Sequence, residues 1–169
     1  MILALETSTK NCSVALIEGE TLKVLIEEHS DQYIHSEKLH LFIEDALKQG
    51  GIKAKELQAI AVGAGPGSYT GLRIGVASAK ALAYSLKLPL ISAKGSELLY
   101  EGLKMQYDLP EVALVHTMID ARRMEVYLAS FDCQKQTWSD YQPFILEEGQ
   151  FDREGPQYFI GDGAAKAKA

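Results

Sequence analysis

Residues Gly63-Ala64-Gly65-Pro66-Gly67-Ser68-Tyr69-Thr70-Gly71-Leu72-Arg73-Ile74-Gly75 follow an apolar run at 57–62 that is short enough for a buried strand. From Tyr69 to Leu86 the chain reads as a helix, so the segment is a glycine-rich turn between strand and helix. Such a turn is a natural anion site, because backbone N–H groups and the helix dipole at a helix N-terminus both favour negative charge. The standard nucleotide patterns nevertheless fail. A P-loop continues Gly-Lys-Ser/Thr, whereas Gly71 is followed by Leu72-Arg73, and the dinucleotide pattern needs its third glycine where Ser68 stands. A structural turn is favoured over a phosphate cradle, with Gly65, Gly67 and Ser68 kept as candidate phosphate contacts.

The helix that follows is apolar on almost every side. Gly71, Gly75, Ala79 and Ala83 recur every fourth residue, a small-residue stripe that permits close backbone approach. Arg73, Lys80 and Lys87 form its one charged row. Such a helix is covered on more than one face, by a sheet and by a second helix belonging to this chain or to a partner.

Outward from this unit, strand-like runs at 1–9, 12–17 and 21–28 form a hairpin meander, with Gly19 in the second turn. A helix is predicted over 36–49, its face marked by Leu39, Phe42, Ile43, Ala46 and Leu47 and its end by Gly50-Gly51. Leu41 lies opposite that stripe and reads as an exposed contact. On the other side come a short strand at 89–93, a helix over Gly95–Lys104 and a boundary at Pro110. Strands at 112–119, 124–131, 137–146 and Gln157–Ile160 follow, and the tail at 166–169 looks like the start of a helix. The pattern predicts two related α/β lobes, 1–106 and 107–169.

Few side chains invite chemistry. His35 and His40 are five positions apart, about 140° around a helix, so they cannot chelate as a His-x-x-x-His pair does. His29 sits at a strand end and His116 inside a predicted strand, so no metal is expected. Ser68 lies in Gly-Pro-Gly-Ser-Tyr, not in the Gly-x-Ser-x-Gly of a nucleophile elbow. Asp120, in the tight hairpin Asp120-Ala121-Arg122-Arg123, is a candidate for orienting water or a cofactor, set against local hydrogen bonding in the turn. Cys12 and Cys133 read as buried free thiols, which suits a reducing cytoplasm.

Composition sets the outer limits. A chain of 169 residues, 47% hydrophobic and 24% charged, builds a core without a disulfide or metal. Its formal net charge of -6 argues against an autonomous grip on RNA, while leaving membership of an RNA-handling assembly open. No basic leader precedes the first apolar run, and no stretch reaches the ~20 apolar residues of a membrane span.

Taken in order, Ile2-Leu3-Ala4-Leu5-Glu6-Thr7-Ser8-Thr9, Cys12-Ser13-Val14-Ala15-Leu16, the segment from Gly63 to Gly75, and Ile119-Asp120-Ala121-Arg122-Arg123-Met124-Glu125-Val126-Tyr127 carry a likeness. The chain resembles the TsaB (YeaZ) family of bacterial subunits for tRNA threonylcarbamoyladenosine biosynthesis, from Met1 to about Gly163. This is a glycoprotease-like family of the actin-like ATPase superfamily. The resemblance implies an α/β, actin-like (ribonuclease H-like) duplicated fold, each lobe having a β-meander sheet flanked by helices. It also implies a second lobe lacking its C-terminal part.

Two departures from catalytic relatives matter. Kinases of the superfamily carry an Asp-x-Gly-Thr phosphate loop in the first turn, where this chain has Glu6-Thr7-Ser8-Thr9 without the glycine. The catalytic sister TsaD holds a metal with a His-x-x-x-His pair, where this chain has Ser92-Ala93-Lys94-Gly95-Ser96-Glu97. The implied role is a non-catalytic scaffold that pairs with TsaD, and with the ATPase TsaE, for threonylcarbamoyl transfer to the adenosine next to the anticodon. ATP and metal are then expected on the partner subunits and none on this chain alone. Contact with tRNA is expected only through the complex, and a homodimer in isolation. Pairing in the family uses helices of the first lobe, which points to Leu39, Leu41, Phe42, Ile43, Gly71, Leu72, Gly75, Ala79 and Ala83, with a bulky residue at Gly75 or Ala79 expected to abolish it. The rival reading is a nucleotide-dependent transferase or hydrolase acting in the interlobe cleft, with Asp120 and the Gly65–Gly71 loop near phosphate; a generic dimerisation module is a third.

Overall fold

The structure, a computed structural model, describes residues 1–30 and 34–168. Two compact units divide the chain, Met1–Gly95 and Ser96–Ala169. The division falls at Gly95 rather than near Pro110. Tyr100 explains the difference, because its ring packs on Phe131 with centroids 4.2 Å apart and ties its helix to the second unit.

The first unit opens with the predicted meander, β1 (Ile2–Glu6), β2 (Asn11–Glu18) and β3 (Thr21–His29), all antiparallel. Helix α1 (His35–Gln49) leads to β4 (Ala59–Gly63), which pairs parallel with β1. Helix α2 (Tyr69–Leu86) leads to β5 (Leu90–Ala93), parallel to β4. The sheet order is β3-β2-β1-β4-β5. A 3-10 turn at Ala54–Glu56, unforeseen in the sequence, takes up part of the predicted 57–62 strand's approach.

The core of this unit follows from strand alternation. Leu3 and Leu5 of β1 and Cys12, Val14 and Leu16 of β2 are buried on one sheet face. They meet Leu39, Phe42, Ile43 and Ala46 of α1 and Ala79 and Ala83 of α2. The two helices lie side by side, touching where Ser78 Oγ and His40 Nε2 are 3.3 Å apart.

In the second unit α3 (Gly95–Lys104) precedes β6 (Leu114–Asp120) and β7 (Glu125–Asp132), an antiparallel hairpin. The predicted 137–146 strand is two pieces, β8 (Thr137–Trp138) and β9 (Gln142–Ile145), each antiparallel to a different end of β7. Between them Ser139 stays tied to β7, its N donating to Ser130 O at 2.8 Å and its Oγ accepting from Ser130 N at 2.9 Å in place of a backbone carbonyl. Strand β10 (Gln157–Ile160) pairs parallel with β6. The tail forms a 3-10 helix, Ala164–Lys168; Ala169 lies outside the described residues. Strands β8/β9, β7, β6 and β10 thus repeat the order of β3, β2, β1 and β4.

Strand β6 is buried on both faces. Val115 packs with Tyr100 and Phe131, while Met118 packs with Leu128, Phe144 and Phe159. His116 lies on the second side, stacked at 4.9 Å on Phe159 and edge-on at 5.1 Å to Phe151. Its Nδ1 is 2.7 Å from Ser130 Oγ and its Nε2 3.0 Å from Gln157 Oε1. Gln157 donates its amide to the Phe151 and Arg153 carbonyls, so its Oε1 must accept from His116 Nε2.

Candidate functional site

Why the segment after β4 is rich in glycine becomes plain once the β1–β2 turn is placed. Thr7 and Ser8 of that turn are almost wholly buried, at 1% and 4% exposure. A methyl group added to Gly63 would overlap the Glu6 carboxylate, one on Gly67 the Ser8 carbonyl, one on Gly71 the Thr7 carbonyl, and one on Gly75 the Thr7 hydroxyl. The glycines make room for the turn, and hydrogen bonds fasten it there. Ser68 N donates to Ser8 O at 2.6 Å, Thr7 Oγ1 to Gly71 O at 2.9 Å, and Ser8 N to Glu6 Oε1 at 2.6 Å.

This geometry reassigns the candidate phosphate contacts. Gly65 O accepts from Gly95 N at 2.9 Å, Gly67 abuts Ser8, and Ser68 Oγ caps α2 by accepting from Gly71 N at 3.2 Å. The helix N-terminus that would bind an anion has a side-chain cap of its own. The space beside Gly67 and the start of α2 is therefore taken up by Ser8 and by the helix's own cap.

Asp120 lies at the end of β6 and is exposed. Its Oδ1 accepts from Arg122 N at 2.7 Å, a local turn bond, and from Lys166 Nζ at 2.6 Å. Lys166 also donates to Glu125 O at 3.1 Å, and Asp120 N donates to Asp162 Oδ1 at 2.8 Å. Burial, with the Glu28 carboxylate adding to it, pushes the Cys12 thiol up to about 11, far from a nucleophile's range. Cys133 is also a free, buried thiol. Among the described residues, no three of His, Cys, Asp and Glu gather as a metal site would require.

The proposed contact residues divide sharply. Leu39, Phe42, Ile43, Gly71, Gly75, Ala79 and Ala83 are buried within the first unit, so they are not available to a partner. The small-residue stripe faces inward, Gly71 and Gly75 against Thr7, and Ala79 and Ala83 in the core. A bulky residue there tests folding rather than association. Leu72 is half-buried, and a methyl on Gly65 would press on its side chain. Leu41 alone is exposed as expected, at 55%.

The charged row of α2 lies on its exposed side, where Arg73 and Lys80 are joined by Tyr69, Ala77, Ala81 and Tyr84. Tyr84 is 89% exposed and Tyr69 74%, with Arg73 lying 5.5 Å over the Tyr69 ring. Their period was legible. What the sequence lacked was any sign of which apolar side the sheet would take.

Comparison with known proteins agrees with this architecture. The family model TsaD, tRNA N6-adenosine threonylcarbamoyltransferase, matches residues 27–144. The tRNA threonylcarbamoyladenosine biosynthesis protein TsaB of Haemophilus influenzae is 35% identical over 145 residues, 85% of this chain and 58% of that protein. The Escherichia coli K12 protein of the same name is 30% identical over 169 residues, 96% of this chain and 71% of its own length. The solved structure of YeaZ from Pseudomonas aeruginosa is 28% identical with a TM-score of 0.73, covering 91% of this chain and 71% of that one. The chain therefore spans a little under three fifths of the H. influenzae relative's length, at 58%.

Proposed function

The chain belongs to the TsaB family of tRNA threonylcarbamoyladenosine biosynthesis proteins, and we propose that it acts there as a non-catalytic scaffold subunit. In this reading it pairs with a TsaD-like sister subunit, and with a TsaE-like ATPase, for threonylcarbamoyl transfer to the adenosine beside the anticodon. ATP and metal belong to those partners, tRNA is met through the complex, and the assembly works in the cytoplasm. Among the described residues, no helix is long and apolar enough to cross a membrane.

The observation that carries the proposal is the β1–β2 turn seated in its glycine bed. In an actin-like fold that turn is where a nucleotide phosphate would be held, and here Thr7, Ser8 and Gly67 close it. What the unit offers instead is surface. Leu41 of α1 and the Ala77, Ala81 and Tyr84 positions of α2 are exposed on adjacent helices, with Arg73 and Lys80 exposed on the same side of α2. We assign partner contact to these residues, and a homodimer of the isolated chain to the same face.

Co-purification with the sister subunit tests it. Leu41→Asp combined with Ala81→Arg changes exposed positions only, so folding is kept to within about 0.5 kcal/mol per site. The expected result is loss of the complex with an unchanged melting temperature; a complex recovered in full yield contradicts the assignment.

A further inference from the structure

Strand register lines up one row of side chains across the whole first sheet. Leu25 of β3 pairs with Ala15 of β2, Ala15 with Ala4 of β1, Ala4 with Ala61 of β4, and Ala61 with Ile91 of β5. Paired residues share a face of the sheet. This face is the one turned away from α1 and α2, because the alternate residues Leu3, Leu5, Val14 and Val62 form the core with those helices. A second apolar row, Leu22, Ile17, Ile2 and Ala59, runs beside the first. Neither row belongs to that core, and Leu22, Leu25 and Ile91 are 55%, 48% and 44% exposed.

Water is a poor partner for such a face. A solvated sheet face alternates polar residues with the buried ones, and alanine is depleted in strands. Strand β4 is also parallel to both its neighbours, and parallel strands are covered on both sides. The second unit has both covers. On one side Met118 and Leu128 pack with Phe151 and with Ala164 and Ala167 of the tail, which by chain order stand where α1 and α2 do. On the other side Val115 and Phe131 take Tyr100 and Leu103 of α3. Among the described residues, α1 and α2 are the helices that build the core of the first unit, and both lie on one side of its sheet.

Shape selects the occupant of the open side. The alanines on β2, β1 and β4 make a floor two strand spacings wide, about 10 Å, which is the diameter of one α-helix. Leu25 and Ile91 stand at rims about 19 Å apart. A second copy would bring an equally hollow face, and two such floors would enclose a void. One helix with large apolar side chains fills the floor, and Glu27 beside Ser13 and Glu6 at one end of the strands favours Lys or Arg there. The family has the length for it: this chain covers 71% of the Escherichia coli relative, so more than a quarter of that protein lies outside the match.

We propose that the face built on Ala4, Ala15 and Ala61 is the seat of an amphipathic helix of the family's own polypeptide, drawn from the length outside this match. The proposal does not rest on the scaffold reading, since the seat lies across the sheet from α1 and α2.

The test compares the chain with a chimera in which the residues of the Escherichia coli relative outside the match are joined to it in that protein's order. The chain alone should bind the dye ANS, and Ala61→Lys should weaken that binding severalfold while moving the melting temperature by about 2 °C at most. The chimera should bind little ANS, and the same substitution there should lower its melting temperature by about 8 °C. Leu41→Asp with Ala81→Arg should leave the chimera's response to Ala61→Lys intact, so this proposal and the α1–α2 assignment fail separately. Equal effects of Ala61→Lys on chain and chimera overturn the proposal. So does a dimer of the chain alone that Ala61→Lys dissociates, which would make a second copy the occupant. Where the chimera does not melt cooperatively, the same residues are added to the chain as a separate polypeptide, and ANS binding that they fail to reduce overturns the proposal as well.

Discussion

The β1–β2 and β6–β7 hairpins hold equivalent places in two sheets of the same strand order, yet their turns have opposite fates. Each is approached by a glycine-bearing segment from the strand parallel to it, 63–75 after β4 and 161–163 after β10. In the first unit the segment covers the tip, and Thr7 and Ser8 disappear beneath it. In the second it reaches only the base, where Gly161 abuts the Met118 carbonyl and Gly163 lies close to Asp120 N and Val126. The first turn becomes structure and the second stays on the surface, carrying two arginines. A duplicated topology does not duplicate chemistry; where the neighbouring loop comes to rest decides it.

The most damaging way to break this contrast is to fill the bed of the first turn. Gly71→Leu should cost about 3 kcal/mol or more, because the Thr7 carbonyl is backbone and cannot move aside. The expected readout is loss of cooperative thermal unfolding by circular dichroism. A variant that melts within a few degrees of the parent would show that the turn is not seated as described.

Removing one fastening is milder. Thr7→Val deletes the hydroxyl that donates to Gly71 O and should cost about 1–2 kcal/mol in chemical denaturation. A neutral result would mean that steric fit alone holds the turn.

Acid probes the second unit separately. Burial, with Arg153 adding to it, holds the His116 imidazole below its ordinary 6.5, against the opposing effect of the hydrogen bond it donates to Gln157 Oε1. A histidine depressed in the fold binds fewer protons there than when unfolded, so its contribution is intact above about pH 6.5 and is lost as pH falls below that value. The melting temperature should therefore drop between about pH 7 and pH 5, and His116→Gln should flatten that part of the profile. An unchanged slope in the variant would assign the acid sensitivity elsewhere.

The smallest effect belongs to the base of the exposed turn. Lys166 and Asp120 are 20% and 45% exposed, so Lys166→Met should cost at most about 1 kcal/mol. A larger loss would mean that the second turn depends on its neighbours as heavily as the first.

Much of this architecture could be read from residues. Alternation of Leu3, Leu5, Val14 and Leu16 and the helical spacing of Leu39, Phe42 and Ile43 are enough to place the first sheet and α1. The site was less legible. Gly71, Gly75, Ala79 and Ala83 announce close approach, but a stripe of small residues does not say to what. Only the fold reveals that the approaching backbone is Thr7's own. The left-handed backbone of Arg122 and Arg123 was hidden for the opposite reason, since a residue with a Cβ rarely adopts positive φ and local preference points elsewhere. The break between β8 and β9 was missed because the place where Ser139's side chain stands in for a backbone acceptor to Ser130 N is set by tertiary pairing.

The most direct measurement of the scaffold account is threonylcarbamoylation of tRNA by the TsaD-like sister and the TsaE-like ATPase, run with and without this chain. The prediction is strong stimulation by the chain, its loss in Leu41→Asp/Ala81→Arg, and no modification and no magnesium-dependent ATP binding by the chain alone. Full modification without the chain, or tight nucleotide binding and turnover by the chain in isolation, would contradict it.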